Sequence, residues 1–192
     1  MRGHDKKMIG SQKLRRSFSF TALVLITLLL SGCVYQVNEP VKTESVPKVS
    51  PTADEEGYFA AREDIACIPN LSRYETATLI DVVDGDSIKV IVDGQPVQVR
   101  YIGINTPEYD SPQRDAAIEA TQVNRRLLSG GRPLYLFKDI TNTDKYGRLL
   151  RYVVANGKFI NLELVRLGQA ESKWYRPDIS CQLLFDRAAA EQ

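Results

Sequence analysis

The chain has 192 residues, 43% of them hydrophobic and 26% charged, a globular composition with room for one ordinary domain and an appendage but not for two sizeable cores. Its formal net charge is +1 and its one histidine, His4, lies in a segment with the marks of a removable leader. Without His4 there is no Ser-His-Asp or Cys-His catalysis and no His-ligated zinc, and three cysteines cannot build a Cys₄ centre, so any chemistry must run on carboxylates, arginine, lysine, tyrosine, hydroxyls or a hard metal held by oxygen.

The leader comes first in the chain. Arg2, Lys6, Lys7, Lys13, Arg15 and Arg16 face a single acid, Asp5, and an apolar run from Phe18 to Leu30 follows. A basic start and a short apolar stretch describe a secretory signal, since a spanning helix needs about 20 apolar residues. Leu30-Ser31-Gly32 immediately before Cys33 resembles a bacterial lipobox, which implies cleavage after residue 32 and a lipid on Cys33. The plainer reading is an uncleaved anchor. Either way the rest of the chain is expected outside the cytoplasm, tethered to a membrane. Val34 after the cysteine, rather than Asp, points by the same resemblance to the outer membrane if the source has one.

Residues 33–57 contain Pro40, Pro47 and Pro51 and no large apolar run, which predicts a flexible tether. Residues 33–192 carry 19 basic and 23 acidic side chains, a net −4, and from Tyr58 onward the balance is −1. That excludes the broad basic field of a protein held on nucleic acid by bulk charge, so an anionic substrate has to be gripped by a few placed cations. With Cys33 lipidated, Cys67 and Cys181 remain as an even pair in an oxidising compartment, which suggests one disulfide; two free buried thiols are the alternative.

Strands are predicted over Thr76–Val83, Ser87–Val92 and Pro96–Gly103, rich in Val, Ile and Tyr, with Asp93-Gly94 as a hairpin turn between the last two. Arg114–Ser129 has a loose helical period through Ala117, Ile118, Thr121, Val123, Leu127 and Leu128, stopped by Gly130-Gly131. Leu134–Lys138 and Leu149–Ala155 read as two more strands, and Asn156-Gly157 as a second hairpin turn. Asn161–Leu167 reads as a short helix capped by Asn161 and stopped by Gly168, and Gln182–Gln192 as a last helix. Five strands with about three helices suit an α+β domain over residues 58–192 built on a small Greek-key barrel.

Four short segments could carry chemistry, and each has a bland reading. Asp84-Gly85-Asp86-Ser87 is a sufficient tight turn, and it lacks the ligand spacing and terminal Glu of an EF-hand. Arg100, among Val97, Val99, Tyr101 and Ile102, is either a barrel-rim residue or a cation aimed at a phosphate. Asn105-Thr106-Pro107-Glu108 could simply start a helical turn. Asp144-Lys145-Tyr146-Gly147-Arg148 is an ordinary turn entering a strand.

In this order and spacing, together with the stretch from Val154 to Ala170, the four segments resemble the staphylococcal (thermo)nuclease family from about Ala77 to the C-terminus. The resemblance implies an OB-fold five-stranded barrel with three helices and a calcium-dependent phosphodiesterase acting on DNA and RNA, single-stranded or frayed, with little sequence preference. It implies that Asp86, Asn105 and the Thr106 carbonyl hold Ca²⁺, that Arg100 and Arg148 bind the scissile phosphate, and that Glu108 orients or deprotonates the attacking water. Lys145 and Tyr146, with Tyr175 or Trp174, would line the nucleotide pocket. Where the family usually has an aspartate, this chain has Asn105, which removes one formal charge from the cation site, and Ser87 stands for a usual threonine.

Physical chemistry agrees with that inventory. Phosphodiester hydrolysis adds negative charge to an already anionic group, so catalysis is largely positioning and electrostatic stabilisation. Guanidiniums supply planar, permanently charged donors, and calcium accepts carboxylate, amide and carbonyl oxygens. Two functions compete at this stage. One is a monomeric, membrane-tethered nuclease; the other is a catalytically weak OB-fold lipoprotein that binds nucleic acid or another partner through groove cations and aromatic stacking. Arg100, Glu108 and Arg148 favour the enzyme, and Asn105 is the one feature favouring the binder.

Overall fold

Branched apolar residues alternating with polar ones set the first three strands, β1 (Tyr74–Val82), β2 (Ser87–Val92) and β3 (Gln95–Tyr101). In β2, Ile88, Val90 and Val92 point into the core while Lys89 and Ile91 face out. Asp93 and Gly94, both at positive φ (49° and 76°), make the tight β2–β3 turn that a right-twisted hairpin requires. The computed structural model describes Tyr58, Phe59 and residues 61–192. The signal expected over 1–32, the lipid on Cys33 and the tether over 33–57 lie outside the described residues.

β1 also pairs antiparallel with β5 (Leu134–Phe137), and β5 with β6 (Leu149–Ala155), which turns at Asn156-Gly157 into the short β7 (Lys158–Phe159). The sheet then closes on itself through a parallel ladder between β3 and β6, in which Val99, Arg100 and Tyr101 face Leu149, Leu150 and Arg151. This is a five-stranded closed barrel, the OB-type α+β architecture expected. A two-stranded annex joins β4 (Ile104–Asn105) to β8 (Glu171–Ser172).

Three helices cover the barrel: α1 (Arg114–Leu128), α2 (Ile160–Arg166) and α3 (Gln182–Ala190). α1 buries Ala117, Thr121, Val123, Leu127 and Leu128 as its period predicted, but Ile118 is exposed, because Ala120 and Asn124 complete the inward stripe instead. Asn161 is not the cap of α2. Extended Phe159 takes that position, and buried Asn161 serves the barrel: its Oδ1 accepts from the Val153 amide and its Nδ2 donates to the Ile102 carbonyl, both at 2.9 Å. Two backbone groups that would otherwise be buried unpaired are thereby satisfied.

A disulfide joins Cys67 to Cys181 with Cα atoms 4.9 Å apart, fastening the chain entering the domain to the start of α3. Beside it, Phe59 is fully buried with edge-on contacts to Tyr74, Tyr135 and Phe137, so the segment before β1 is part of the core.

Candidate active site

The β3–β6 ladder builds the site, because it brings distant segments to one end of the barrel. Arg100 on β3 faces Ser87 on one side and Leu150 on the other. Asp86 therefore lies just before one neighbouring strand and Arg148 just before the other. Between them opens a cleft of about 530 Å³ whose lining includes Asp84, Asp86, Arg100, Glu108, Lys145, Tyr146, Arg148 and Tyr175.

Asp86 is the buried anchor of the cleft. Its Oδ1 lies 2.7 Å from Arg100 Nη1, and its Oδ2 accepts from the Thr106 amide at 2.7 Å. That approach depends on Gly85: a Cβ there would sit 2.7 Å from the Thr106 side chain, so the Asp-Gly-Asp run is more than a turn. Asp84 accepts from the Asp86 amide at 3.0 Å and adds a second carboxylate. Burial pushes the Asp86 carboxyl up to about 6, against the opposing pull of Arg100 and the Thr106 bonds, and Asp84 adds to the rise.

Arg100 also donates from Nη2 to Asn105 Oδ1 at 3.0 Å, and the Tyr175 hydroxyl reaches the same oxygen at 3.3 Å. Asn105 in turn donates to the Thr106 carbonyl at 3.3 Å. Asp86, Arg100, Asn105 and Thr106 thus form one bonded cluster, with Tyr175 closing its outer side.

Across the cleft, Asp144 shapes the turn that carries Arg148. Its Oδ1 accepts from the amides of Tyr146 and Arg148, and its Oδ2 from Arg148 Nε at 2.7 Å. Burial would raise the Asp144 carboxyl, but these bonds and the adjoining charge outweigh it and hold it below the usual carboxylate range. The outer nitrogens of Arg148 remain available while Nε is committed. Tyr146 lies broadside to two cations, Lys145 Nζ at 4.9 Å and Arg148 Cζ at 5.5 Å from its ring centre. Glu108 reaches the cleft from an exposed loop, and its carboxylate forms no ion pair among the described residues.

Trp174 does not line the cleft. Successive residues in extended backbone face opposite ways, so with Tyr175 turned inward the Trp174 indole turns out, donating to Asp186 on α3 at 3.1 Å beneath the Arg176 guanidinium. A cleft residue absent from the sequence reading is Asp178, buried at the cleft wall, where one oxygen accepts from the amides of Ile140 and Thr141 at 2.9 and 2.7 Å. Nothing in its spacing marks it; the only local sign is its place in a turn after Pro177.

A family model described as "Staphylococcal nuclease homologue" matches residues 98–191. The chain is 32% identical over 168 residues to Endonuclease YncB of Bacillus subtilis (strain 168), spanning 83% of this chain and 79% of that one. It is 34% identical over 122 residues to the Thermonuclease of Staphylococcus intermedius, across 62% of this chain and 72% of the relative. The Thermonuclease of Staphylococcus hyicus is also 34% identical, over 117 residues, 59% of this chain and 69% of its own.

Proposed function

From a chain that belongs to the staphylococcal nuclease family and is a nuclease hydrolase, we propose a calcium-dependent phosphodiesterase that cuts DNA and RNA with little sequence preference, held outside the cytoplasm by a lipid on Cys33. The observation that carries the catalytic part is the convergence of Arg100, Arg148, Glu108 and Asp86 on one cleft. Export and lipid attachment are supported by the basic start, the apolar run and Leu30-Ser31-Gly32-Cys33. Intact mass of the mature protein tests that part: an acyl addition on Cys33 is expected, lost in Cys33→Ser.

The donors available to a cation are all hard oxygens: the Asp86 carboxylate, Asn105 Oδ1 and the Thr106 carbonyl, with Asp84 adjacent. Among the described residues no three acidic, histidine or cysteine side chains cluster as metal ligands, so water and substrate phosphate must complete the shell. The donor chemistry suits calcium rather than a soft metal. A raised Asp86 carboxyl also shows that Arg100 alone does not offset burial and Asp84. Bound by Asp86, Asn105 and Thr106, calcium would supply positive charge for the phosphoryl oxygens and the attacking water.

Each remaining role belongs to a side chain. Arg100 and Arg148, both lining the cleft, donate to phosphate oxygens that gain charge as the bond breaks. Glu108, free of other partners, holds the water by accepting its proton in a hydrogen bond and takes that proton as attack proceeds. Lys145, Tyr146 and Tyr175 hold the adjoining nucleotide by charge and ring stacking, and the exposure of both rings leaves stacking independent of base identity. Digestion of single-stranded and duplex DNA and of RNA, with calcium and with chelator, tests the reading. Cleavage abolished by chelator and restored by calcium is expected; binding without cleavage would leave the nucleic-acid-binding module instead.

A further inference from the structure

β6 carries a second arginine that stays out of the cleft. Arg151 is 1% exposed, and its side chain is the largest fully buried one among the described residues. All five of its N–H groups are used. Nε and Nη2 donate to the two carboxylate oxygens of Glu75 on β1 at 2.5 and 3.0 Å. Nη1 donates to the carbonyls of Leu150 and Asn142 at 2.7 and 3.0 Å, and Nη2 to Asn142 Oδ1 at 2.8 Å. The guanidinium is buried while its Glu75 partner keeps a 37% exposed side chain, and a buried charge costs desolvation that an apolar side chain of similar volume would not. What the arrangement does fix is geometry.

The fixed object is the chain between residues 142 and 148. The Asn142 carbonyl, held by Arg151, also accepts from the Leu150 amide at 3.0 Å. Thr143 bridges to Leu149, Asp144 and Arg148 share a backbone bond of 3.0 Å, and Asp144 grips Arg148 Nε. Glu75 and Asn142 thus anchor to Arg151, and from Asn142 a short antiparallel ladder, Asn142 with Leu150, Thr143 with Leu149 and Asp144 with Arg148, leads to the Arg148 side chain. The same Arg151 is in register with Tyr101 across the closing ladder, and its carbonyl accepts from the Ile102 amide at 3.0 Å. It therefore refers the Arg148 turn to the strand that carries Arg100.

We propose that Arg151 is a positioning residue for phosphodiester hydrolysis: anchored by Glu75, it holds Asn142 and the turn beyond it so that Arg148 meets a phosphate already engaged by Arg100. This rests on the nuclease reading above. Two guanidiniums carried by different strands can share one phosphate only if their separation is held, and displacements near 1 Å at a reacting centre can cost about 10²-fold in rate.

The test is a cycle on the full mature chain with Arg151→Met, an apolar side chain of similar reach, Arg148→Ala, and both together. Turnover of a single-stranded oligonucleotide is measured alongside thermal unfolding. Arg151→Met should lower kcat by about 10- to 100-fold with KM changed less than about threefold. In the Arg148→Ala background the same substitution should cost less than about twofold, because the group it positions is gone. Asn142→Ala, at an exposed position, removes one of the bonds and should show a smaller kcat loss of about threefold with the same dependence on Arg148. It also decides the matter if Arg151→Met does not fold. Losses that multiply in the double variants, or unchanged kcat in Asn142→Ala and in folded Arg151→Met despite a lower unfolding midpoint, would reduce Arg151 to a brace. An inactive parent protein would instead overturn the nuclease reading, and the positioning role with it.

Discussion

Asp86 and Arg100 hold each other at 2.7 Å within the cleft, their side chains only 6% and 13% exposed. In the proposed function a cation would take the carboxylate, and a phosphate the guanidinium. Whatever draws Arg100 toward phosphate loosens its hold on Asp86 and on Asn105 Oδ1, and a cation on those oxygens releases Arg100 in turn. On that proposal metal and phosphate should favour each other, with a coupling of the same size in both directions.

Asn105→Asp should strengthen the cation side of this exchange by restoring a formal charge beside Asp86. Calcium affinity of the free protein, measured calorimetrically, is expected to rise, and the calcium giving half-maximal cleavage to fall. The affinity gain on adding a nucleoside bisphosphate should be smaller in the variant than in the parent, because less negative charge is missing. An unchanged calcium requirement would place Asn105 outside the cation's shell.

Arg100→Ala, Arg148→Ala and Glu108→Ala should each lower turnover by at least about 10²-fold, the usual scale for losing a transition-state donor or a general base. Glu108 is exposed and its carboxylate forms no ion pair among the described residues, so its variant should unfold within about 0.5 kcal/mol of the parent. Near-normal turnover in folded Glu108→Ala removes the carboxylate from the mechanism.

The pH dependence of the metal-free protein carries the mark of Asp86. Its folded-state value, about 6, exceeds the ordinary 3.8, so the folded state binds the proton more tightly than the unfolded state. Its stabilising contribution is then complete below about pH 4 and is lost as pH rises through about 6. Denaturant unfolding of parent and Asp86→Asn between pH 4 and 7 should show this slope in the parent and its absence in the variant. Calcium should reverse the trend, since the cation needs the ionised carboxylate and binds more weakly as pH falls through 6.

Reducing the Cys67–Cys181 bond should lower stability by about 2–5 kcal/mol, the range for a cross-link closing a long loop, here a separation of 114 residues. Urea unfolding with and without reductant measures it. Both cysteines lie outside the cleft lining, so turnover of the folded fraction is expected to stay within about twofold of the oxidised protein.

Much of the barrel is legible before any coordinates because its signals are local. Val, Ile and Tyr alternate through β2, Asp93-Gly94 and Asn156-Gly157 adopt the positive φ their types favour, and α1 begins at Arg114 as its period says. What escapes is what depends on residues far apart in sequence. Asn161 reads as a cap because helix-starting Asn usually is one, whereas its partners, Val153 and Ile102, are neighbours only once the barrel exists. Trp174 and Tyr175 are equal candidates until the backbone direction sends one toward Asn105 and the other toward Asp186. The motif segments read together through family resemblance, but their shared cleft arises from β3 meeting β6.

That closing ladder has a consequence for when the cleft forms. Arg100 and Arg148 share a cleft only after β3 and β6 have zipped together, a contact between segments separated by α1 and β5. Non-local pairings of this kind incur the largest loop-closure cost, and the parallel kind is intrinsically slow to form. A nascent or partly folded chain, however complete its hairpins, has Arg100 and Arg148 on pieces not yet paired. The topology thus makes the cleft a late product of folding: until β3 meets β6, the two arginines belong to separate pieces of chain.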